Sequence, residues 1–310
     1  AKPRVGIIPT GTEIIKPYDD PKEGDIIDSN SGMFAGMAME QDCLPKIYDI
    51  VPDIYDEIKE TVKKAIEEND LVVVNAGSSA GTEDYTVSVL AELGEVVIHG
   101  VAMKPGKPVI LAIVSGKPVI GLPGYPVSAY LAFDTFVTPV INKMFKASLK
   151  SKNVVKATLA KRLISSLKHR EYVRVKVGYV GGKLVASPLA RGAGAAMSLV
   201  KADGFCIIPQ NSEGALSGEE VDIVLCKSLE EIATSCNLWY TKLITYGSTR
   251  GDRMLNEDKI RLMTGIAMYE KKAEKDVFPV TRFFKSDYIG SHMIRSFITY
   301  TVACLMFVGM

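Results

Sequence analysis

Histidine and cysteine are scarce in this sequence, which holds three of the first and five of the second among 310 residues. The cysteines stand at positions 43, 206, 226, 236 and 304, and no two form a C-x-x-C pair. That pattern argues against a zinc site and against a disulfide scaffold, and it fits a reducing cytoplasm. An excess of charge of one sign is also lacking. Lysine and arginine number 37 against 36 aspartates and glutamates, a net charge of +1. A general nucleic-acid binder carries a basic surplus, so that class is set aside. A long apolar run is missing too: the most apolar stretch, from Phe297 to Met310, is fourteen residues, short of the roughly 20 that a membrane helix needs. The first residues, AKPRVGIIPTG, contain no apolar core of a secretion signal. They enter a strand pattern at once, as a domain cut from a longer protein would.

What is present is alternation. Strand-like RVGIIPTG, LPKIYDIV, DLVVVNAG, EVVIHGVAM, VILAIV and PVIGL are separated by helix-like SNSGMFAGMAMEQD, DIYDEIKETVKKAIEEN and YTVSVLAELG. Ile54, Ile58, Val62, Ala65 and Ile66 follow the three-and-four spacing of one helical face, with Asp53 as its N-cap. Gly94 reads as a C-cap, and Pro126 suits the first turn of a long helix, PVSAYLAFDTFVTPVINKMF. Strands this apolar, separated by helices, predict a three-layer α/β domain with a mostly parallel sheet, over residues 1–148. From about Lys150 the texture changes to short strands punctuated by GG, RGAG and NSEG, which predicts a small all-β domain over 149–228. Residues 229–310 remain an unassigned tail.

In an open parallel sheet, ligands bind at the carboxyl ends of the strands. Three segments fall there: PTGTE (9–13), NAGSSAGTEDYT (75–86) and GLPGYPVS (121–128). Their small residues, Gly77, Ser79, Gly81 and Gly124 among them, let a ligand lie against the backbone, whose N–H groups cradle an anion. The competing reading is a set of tight turns with nothing bound. Glu13, Asp53 and Asp84 follow strands and could converge on Mg²⁺. As dull alternatives, Asp53 and Asp84 are good helix caps and Glu13 a solvated carboxylate. Lys104 and Lys107 stand in MKPGKP, stiffened by prolines, and suit an oxyanion; surface turns also carry such lysines.

Taken in order and spacing, PTGTE, DSNS, GSSAGTEDYT, VAMKPGKP and GLPGYPVSA resemble the molybdopterin molybdotransferase (molybdenum insertase) family. HREYVRV and GAGAAMSLVKADGFCIIP resemble its C-terminal β domain, so that the resemblance covers about residues 2–228. It implies an enzyme of molybdenum cofactor biosynthesis that takes adenylylated molybdopterin and molybdate, uses Mg²⁺, and releases AMP. It implies catalytic and metal-binding roles for Glu13, Asp53 and Asp84, and a molybdate-handling set of Lys104, Lys107, Ser128, Arg170 and Ser198. Thr10, Gly11, Asn30, Gly77, Ser79, Gly81 and Gly124 fall in the motifs as substrate-binding positions. The partners implied are these small molecules, with a homodimer for the full-length protein, and neither nucleic acid nor membrane.

Three positions depart from the pattern: Ala76 for a glycine, Tyr125 for the asparagine of PGNP, and Asp203 for the asparagine of NG. The family's two N-terminal domains, which help form its dimer and cleft, are expected to be absent here. Two other readings compete: a related pterin- or nucleotide-processing enzyme on the same fold, which the attached β domain disfavours, and a non-catalytic binding or scaffold module.

Overall fold

The computed structural model describes residues 2–75, 85–144, 152–180, 182–189, 192 and 196–233. The elements of the first part are β1 (Arg4–Pro9), β2 (Ile14–Ile15), β3 (Ile26–Ile27), α1 (Asn30–Glu40), β4 (Leu44–Ile47), α2 (Tyr55–Glu68), β5 (Leu71–Asn75) and α3 (Tyr85–Leu93). They continue with β6 (Glu95–His99), β7 (Met103–Lys104), β8 (Ile110–Val114), β9 (Lys117–Leu122), α4 (Pro126–Ala132), a π-helical turn (Phe133–Val137) and α5 (Thr138–Met144).

Six strands form one sheet in the order β4-β1-β5-β9-β8-β6. The first four run parallel, while β8 and β6 each pair antiparallel with their neighbour. A two-residue turn joins β8 to β9, and its Ser115 and Gly116 both hold positive φ, 51° and 74°. Tight hairpins need that backbone to match strand twist. The central strands bury both faces because their apolar side chains alternate without interruption. Val5, Ile7, Leu71, Val73, Ile120 and Leu122 pack with Phe34 of α1 and Leu131, Phe133 and Ile141 of the α4–α5 run. Ile8, Val72, Val74 and Val119 face the other way, onto Ile58, Val62 and Ile66 of α2 and Val89 and Leu90 of α3. The expected three layers are there, with a core on each side of the sheet.

Two local expectations need correction. Asp53 does not cap α2; the N-cap position belongs to Ile54, which has no side-chain cap bond and is 49% exposed. Pro52 sets this entry, its carbonyl accepting the Ile54 N–H at 2.7 Å. Gly94 does follow α3, but for a different reason from the one expected. A β-carbon there would lie 2.2 Å from the Ile113 carbonyl oxygen, so close packing demands the glycine. The far end of α2 is closed from outside: Lys117 Nζ donates to the carbonyls of Ile66 at 2.5 Å and Asn69 at 2.8 Å. A cation there also complements the helix dipole.

The second part contains β10 (Val154–Leu159), β11 (Leu163–Ile164), β12 (Arg170–Val180), β13 (Lys183–Pro188), α6 (Ala196–Lys201), β14 (Gly204–Ile208), β15 (Gly214–Ala215) and β16 (Glu220–Leu225). Its strands run β13-β10-β16-β14-β12, and β13 pairs again with β12, closing a small barrel. β13 covers only Val175–Val180 of β12, which leaves an edge at the start of that strand. Inside lie Leu159, Val173, Val175, Val177, Ala186, Cys206 and Ile223. This region is not purely β, since α6 is helical, and it takes a strand from the first part. β7 stands outside the first sheet and pairs with the start of β12, Met103 opposite Arg170 and Lys104 opposite Glu171.

Asp203 ties the barrel together. Its carboxylate, 1% exposed, accepts from Lys176 at 2.8 Å, Lys227 at 3.1 Å and the Val177 N–H at 3.0 Å. Burial pushes its pKa up, but these donors prevail and hold it below the usual carboxylate range. Asp203→Ala leaves the Val177 N–H without a partner and frees two lysines that water can reach. The expected loss is about 1–3 kcal/mol at pH 7, read by urea unfolding. Because the folded-state pKa is depressed, this contribution is complete above the unfolded value near 4 and fades as pH falls below it. The gap between parent and variant therefore narrows at pH 3; a gap that is constant from pH 7 to pH 3 contradicts the assignment.

Candidate functional site

The polar residues at the carboxyl edge of the parallel strands hold one another. Thr10, directly after β1, is buried, and both its N–H and its Oγ1 donate to the Asn75 carbonyl, at 3.0 and 3.1 Å. Asn30 opens α1, and its Nδ2 donates to the Gly124 carbonyl at 2.6 Å and to Asn75 Oδ1 at 3.4 Å. Asn75 is thus the junction between the ends of β1, β5 and β9. Sequence reasoning missed it; the signal was an asparagine closing the otherwise apolar run LVVVN. The N-terminus of α1 is capped by Asp28, whose Oδ1 accepts the Ser31 N–H at 3.0 Å. Among the described residues, Asn30 Oδ1 and Ser31 Oγ are buried with no hydrogen-bond partner. Orphaned polar atoms of this kind cost stability.

Two loops carry the described carboxylates. Gly11 has φ +147°, and a β-carbon on it would lie 2.5 Å from Ile14 Cγ1 and 3.4 Å from Glu13 Oε2. Only glycine allows the chain to turn there with Glu13 folded against it. The Gly11 N–H reaches the Val51 carbonyl at 3.0 Å, and the Asp53 N–H reaches Thr12 Oγ1 at 3.3 Å. These bonds lay the Glu13 loop beside the Asp53 loop. Asp84, Gly77, Ser79 and Gly81 lie outside the described residues. Among the described residues no three histidine, cysteine or carboxylate side chains gather as a metal set.

The cationic residues come from both sheets. The Arg170 N–H donates to the Ala102 carbonyl at 2.9 Å, and Lys104 Nζ lies 3.6 Å from Glu171 Oε1. Gly106 has φ +110°, and a β-carbon there would meet Met103 Cε at 2.5 Å and the Ser128 carbonyl at 3.4 Å. The MKPGKP loop therefore closes on the first turn of α4, where Ser128 is buried. Ser198 lies on α6, which packs against α4. Stacking of Tyr130 on Phe205, with ring centroids 6.0 Å apart, joins α4 to the barrel. So Lys104, Lys107, Ser128, Arg170 and Ser198, from four separate stretches, are carried by elements that meet. Lys107 and Arg170 are exposed, and Tyr125, beside Gly124, is 53% exposed. Glu171 also escaped sequence reasoning, although it stands directly after Arg170 in HREYVRV.

Residues 6–143 match the family described as "Probable molybdopterin binding domain", and residues 156–226 match the "MoeA C-terminal region (domain IV)". A Methanocaldococcus jannaschii protein named for molybdopterin biosynthesis is 37% identical over 232 residues, covering 72% of this chain and 55% of that protein. The molybdopterin molybdenumtransferase of Bacillus subtilis is 31% identical over 228 residues, covering 73% and 53%. Among solved structures, the molybdopterin biosynthesis MoeA protein from Pyrococcus horikosii aligns with a TM-score of 0.64 at 36% identity, over 73% of this chain and 55% of that one. The chain spans about half the length of the curated relatives it matches.

The geometry separates two glycines that look alike in sequence. Gly11→Ala is expected to cost about 1–3 kcal/mol through left-handed strain and the clash with Ile14. Gly36→Ala, in α1 with open space around its β-carbon, is expected to gain about 0.5–1 kcal/mol from helix propensity. Urea unfolding of both variants checks the pair, and an unchanged Gly11→Ala protein would show that the loop is not held as described.

Proposed function

This chain belongs to the MoeA family, whose molybdopterin-binding domain and domain IV it carries, and from that membership we propose that it inserts molybdate into adenylylated molybdopterin with release of AMP. The observation that carries the reading is the pairing of β7 with β12. It sets Met103 opposite Arg170 and Lys104 opposite Glu171, so the short strand that carries Lys104 and the strand that begins with Arg170 are neighbours.

Molybdate is a tetrahedral dianion, so it calls for cations and hydroxyl donors on a rigid frame. In this reading Lys104, Lys107 and Arg170 supply the positive charge, and Ser128 and Ser198 donate hydrogen bonds. Thr10, Gly11, Asn30 and Gly124, with Gly77, Ser79 and Gly81 of the intervening loop, bind the pterin nucleotide against the backbone. The buried Oδ1 of Asn30 is an acceptor for a donor on that substrate. Glu13, Asp53 and Asp84 offer only oxygen atoms, the donor type that Mg²⁺ prefers, and the bonds between the Glu13 and Asp53 loops support their acting together. Bound there, Mg²⁺ would neutralise charge as the phosphoanhydride opens. The lysines share that task. The dithiolene that receives molybdenum belongs to the pterin, so no protein thiolate is needed; burial holds the Cys43 and Cys206 thiols up at about 11. The reading includes a homodimer of the longer protein and a cytoplasmic location.

The test is AMP release from adenylylated molybdopterin by this chain, with Mg²⁺, in the presence and absence of molybdate. Release is expected to require molybdate and to fall about 100-fold or more in Asp84→Ala, the loss of several kcal/mol of charge stabilisation. Full activity in that variant, or release indifferent to molybdate, would sink the proposal.

A further inference from the structure

Glu171 is the most deeply buried carboxylate near the cationic residues, 2% exposed, and its surroundings are built for it. Oε1 accepts from the Ser166 N–H at 2.7 Å, Ser166 Oγ at 2.6 Å and Ser165 Oγ at 3.4 Å. To wrap these donors around one oxygen the turn is strained: Leu167 holds a left-handed φ of 63°. Its carbonyl is fixed by the Asn211 N–H at 2.7 Å. Non-glycine residues in that conformation persist only where the surroundings hold them, and they cluster at functional sites. The same Oε1 lies 3.6 Å from Lys104 Nζ, whose side chain is 53% exposed. That distance is an ion pair looser than a hydrogen bond, so the ammonium protons remain available on the outer side.

We propose that Glu171 is a positioning residue for Lys104: its buried charge anchors the ammonium from behind and leaves the other face open to an oxyanion. A free lysine has a flexible four-carbon stem and surrenders that freedom on binding. Here β7 and β12 fix both backbones in register, Lys104 opposite Glu171, so much of the ordering precedes the ligand. The two residues come from different domains, and the pair therefore senses whether the barrel is docked. This inference rests on the reading of Lys104 as a molybdate ligand.

The experiment is calorimetric titration of molybdate into the chain and into Lys104→Ala, Glu171→Gln, Glu171→Asp and the double variant Lys104→Ala/Glu171→Gln. Unfolding of each is measured alongside. Each of the two first single variants is expected to raise Kd about tenfold, and the double variant by about tenfold too, because Glu171 acts only through Lys104. Glu171→Asp keeps the charge but withdraws it by one methylene, and is expected to recover part of the affinity. An unchanged or lower Kd in folded Glu171→Gln, or single losses that multiply to about 100-fold, overturns the positioning role while leaving Lys104 a ligand. Should Glu171→Gln not fold, the Asp variant decides: parental affinity there overturns the inference. Unchanged affinity in Lys104→Ala removes the underlying reading, and the inference with it.

Discussion

The rest of the arrangement depends on two residues of backbone. Met103 and Lys104 stand outside the sheet that their neighbours build and pair with the edge of β12. A two-residue ladder is weak alone, and it persists because packing locks both sides of it. Met103 is buried in the core shared with Phe205, Val127 and Ala129, and Gly106 admits no β-carbon beside Met103. Every cationic residue of the proposed anion site is referred to this ladder, whether by sequence, as Lys104 and Lys107 are, or by register, as Arg170 is.

The opposite side of the site is organised by polar groups rather than by packing. Thr10, Asn30 and Asn75 are each at most 5% exposed, at an edge where apolar residues would have given a simpler core. Burying three such side chains is costly unless they bond one another. They do so in a chain that runs from β1 through β5 to the loop after β9. Among the described residues, the chain is incomplete at Asn30 Oδ1 and Ser31 Oγ. An isolated structural network gains from satisfying every member, and the proposed substrate site would complete this one.

Much of this was legible in the sequence, and the illegible parts have physical reasons. Strand β5 announces itself as LVVVN because a strand covered on both faces has no polar position to spare. The buried face of α2 was readable from Ile58 to Ile66 by period alone. The same reasoning misassigned Asp53, because a good capping residue two places before a helix says nothing about the Pro52 turn that places Ile54 at the cap. Strand β7 could not be read at all, since two residues carry no periodicity and its partner is 67 positions away, Met103 to Arg170. Glu171 was hidden for a related reason. Its burial comes from the turn at Ser165–Leu167, and a glutamate in HREYVRV otherwise passes for a solvated strand residue. Gly11 and Gly94 were both noticed as glycines. Only the surroundings distinguish the strained turn at the first from the close carbonyl at the second.

Charge offers the last step. The whole chain is nearly neutral, with a net charge of +1, so its overall field would steer neither an anion nor a cation. The signs are instead segregated locally. Glu13 and Asp53 stand on the loops after β1 and β4, while Lys104, Lys107 and Arg170 gather where the barrel meets α4. Screening at physiological salt limits such fields to about 8 Å, so each group acts on what binds close to it. Uniform charge would suit a simple anion or a simple cation. The proposed substrates, a nucleotide phosphate and an oxyanion, would call on both kinds of charge. The proposal also gives a place to the buried Glu171 beside Lys104. Its depth, its three serine-derived donors and its contact with Lys104 set it apart from the carboxylates that face solvent.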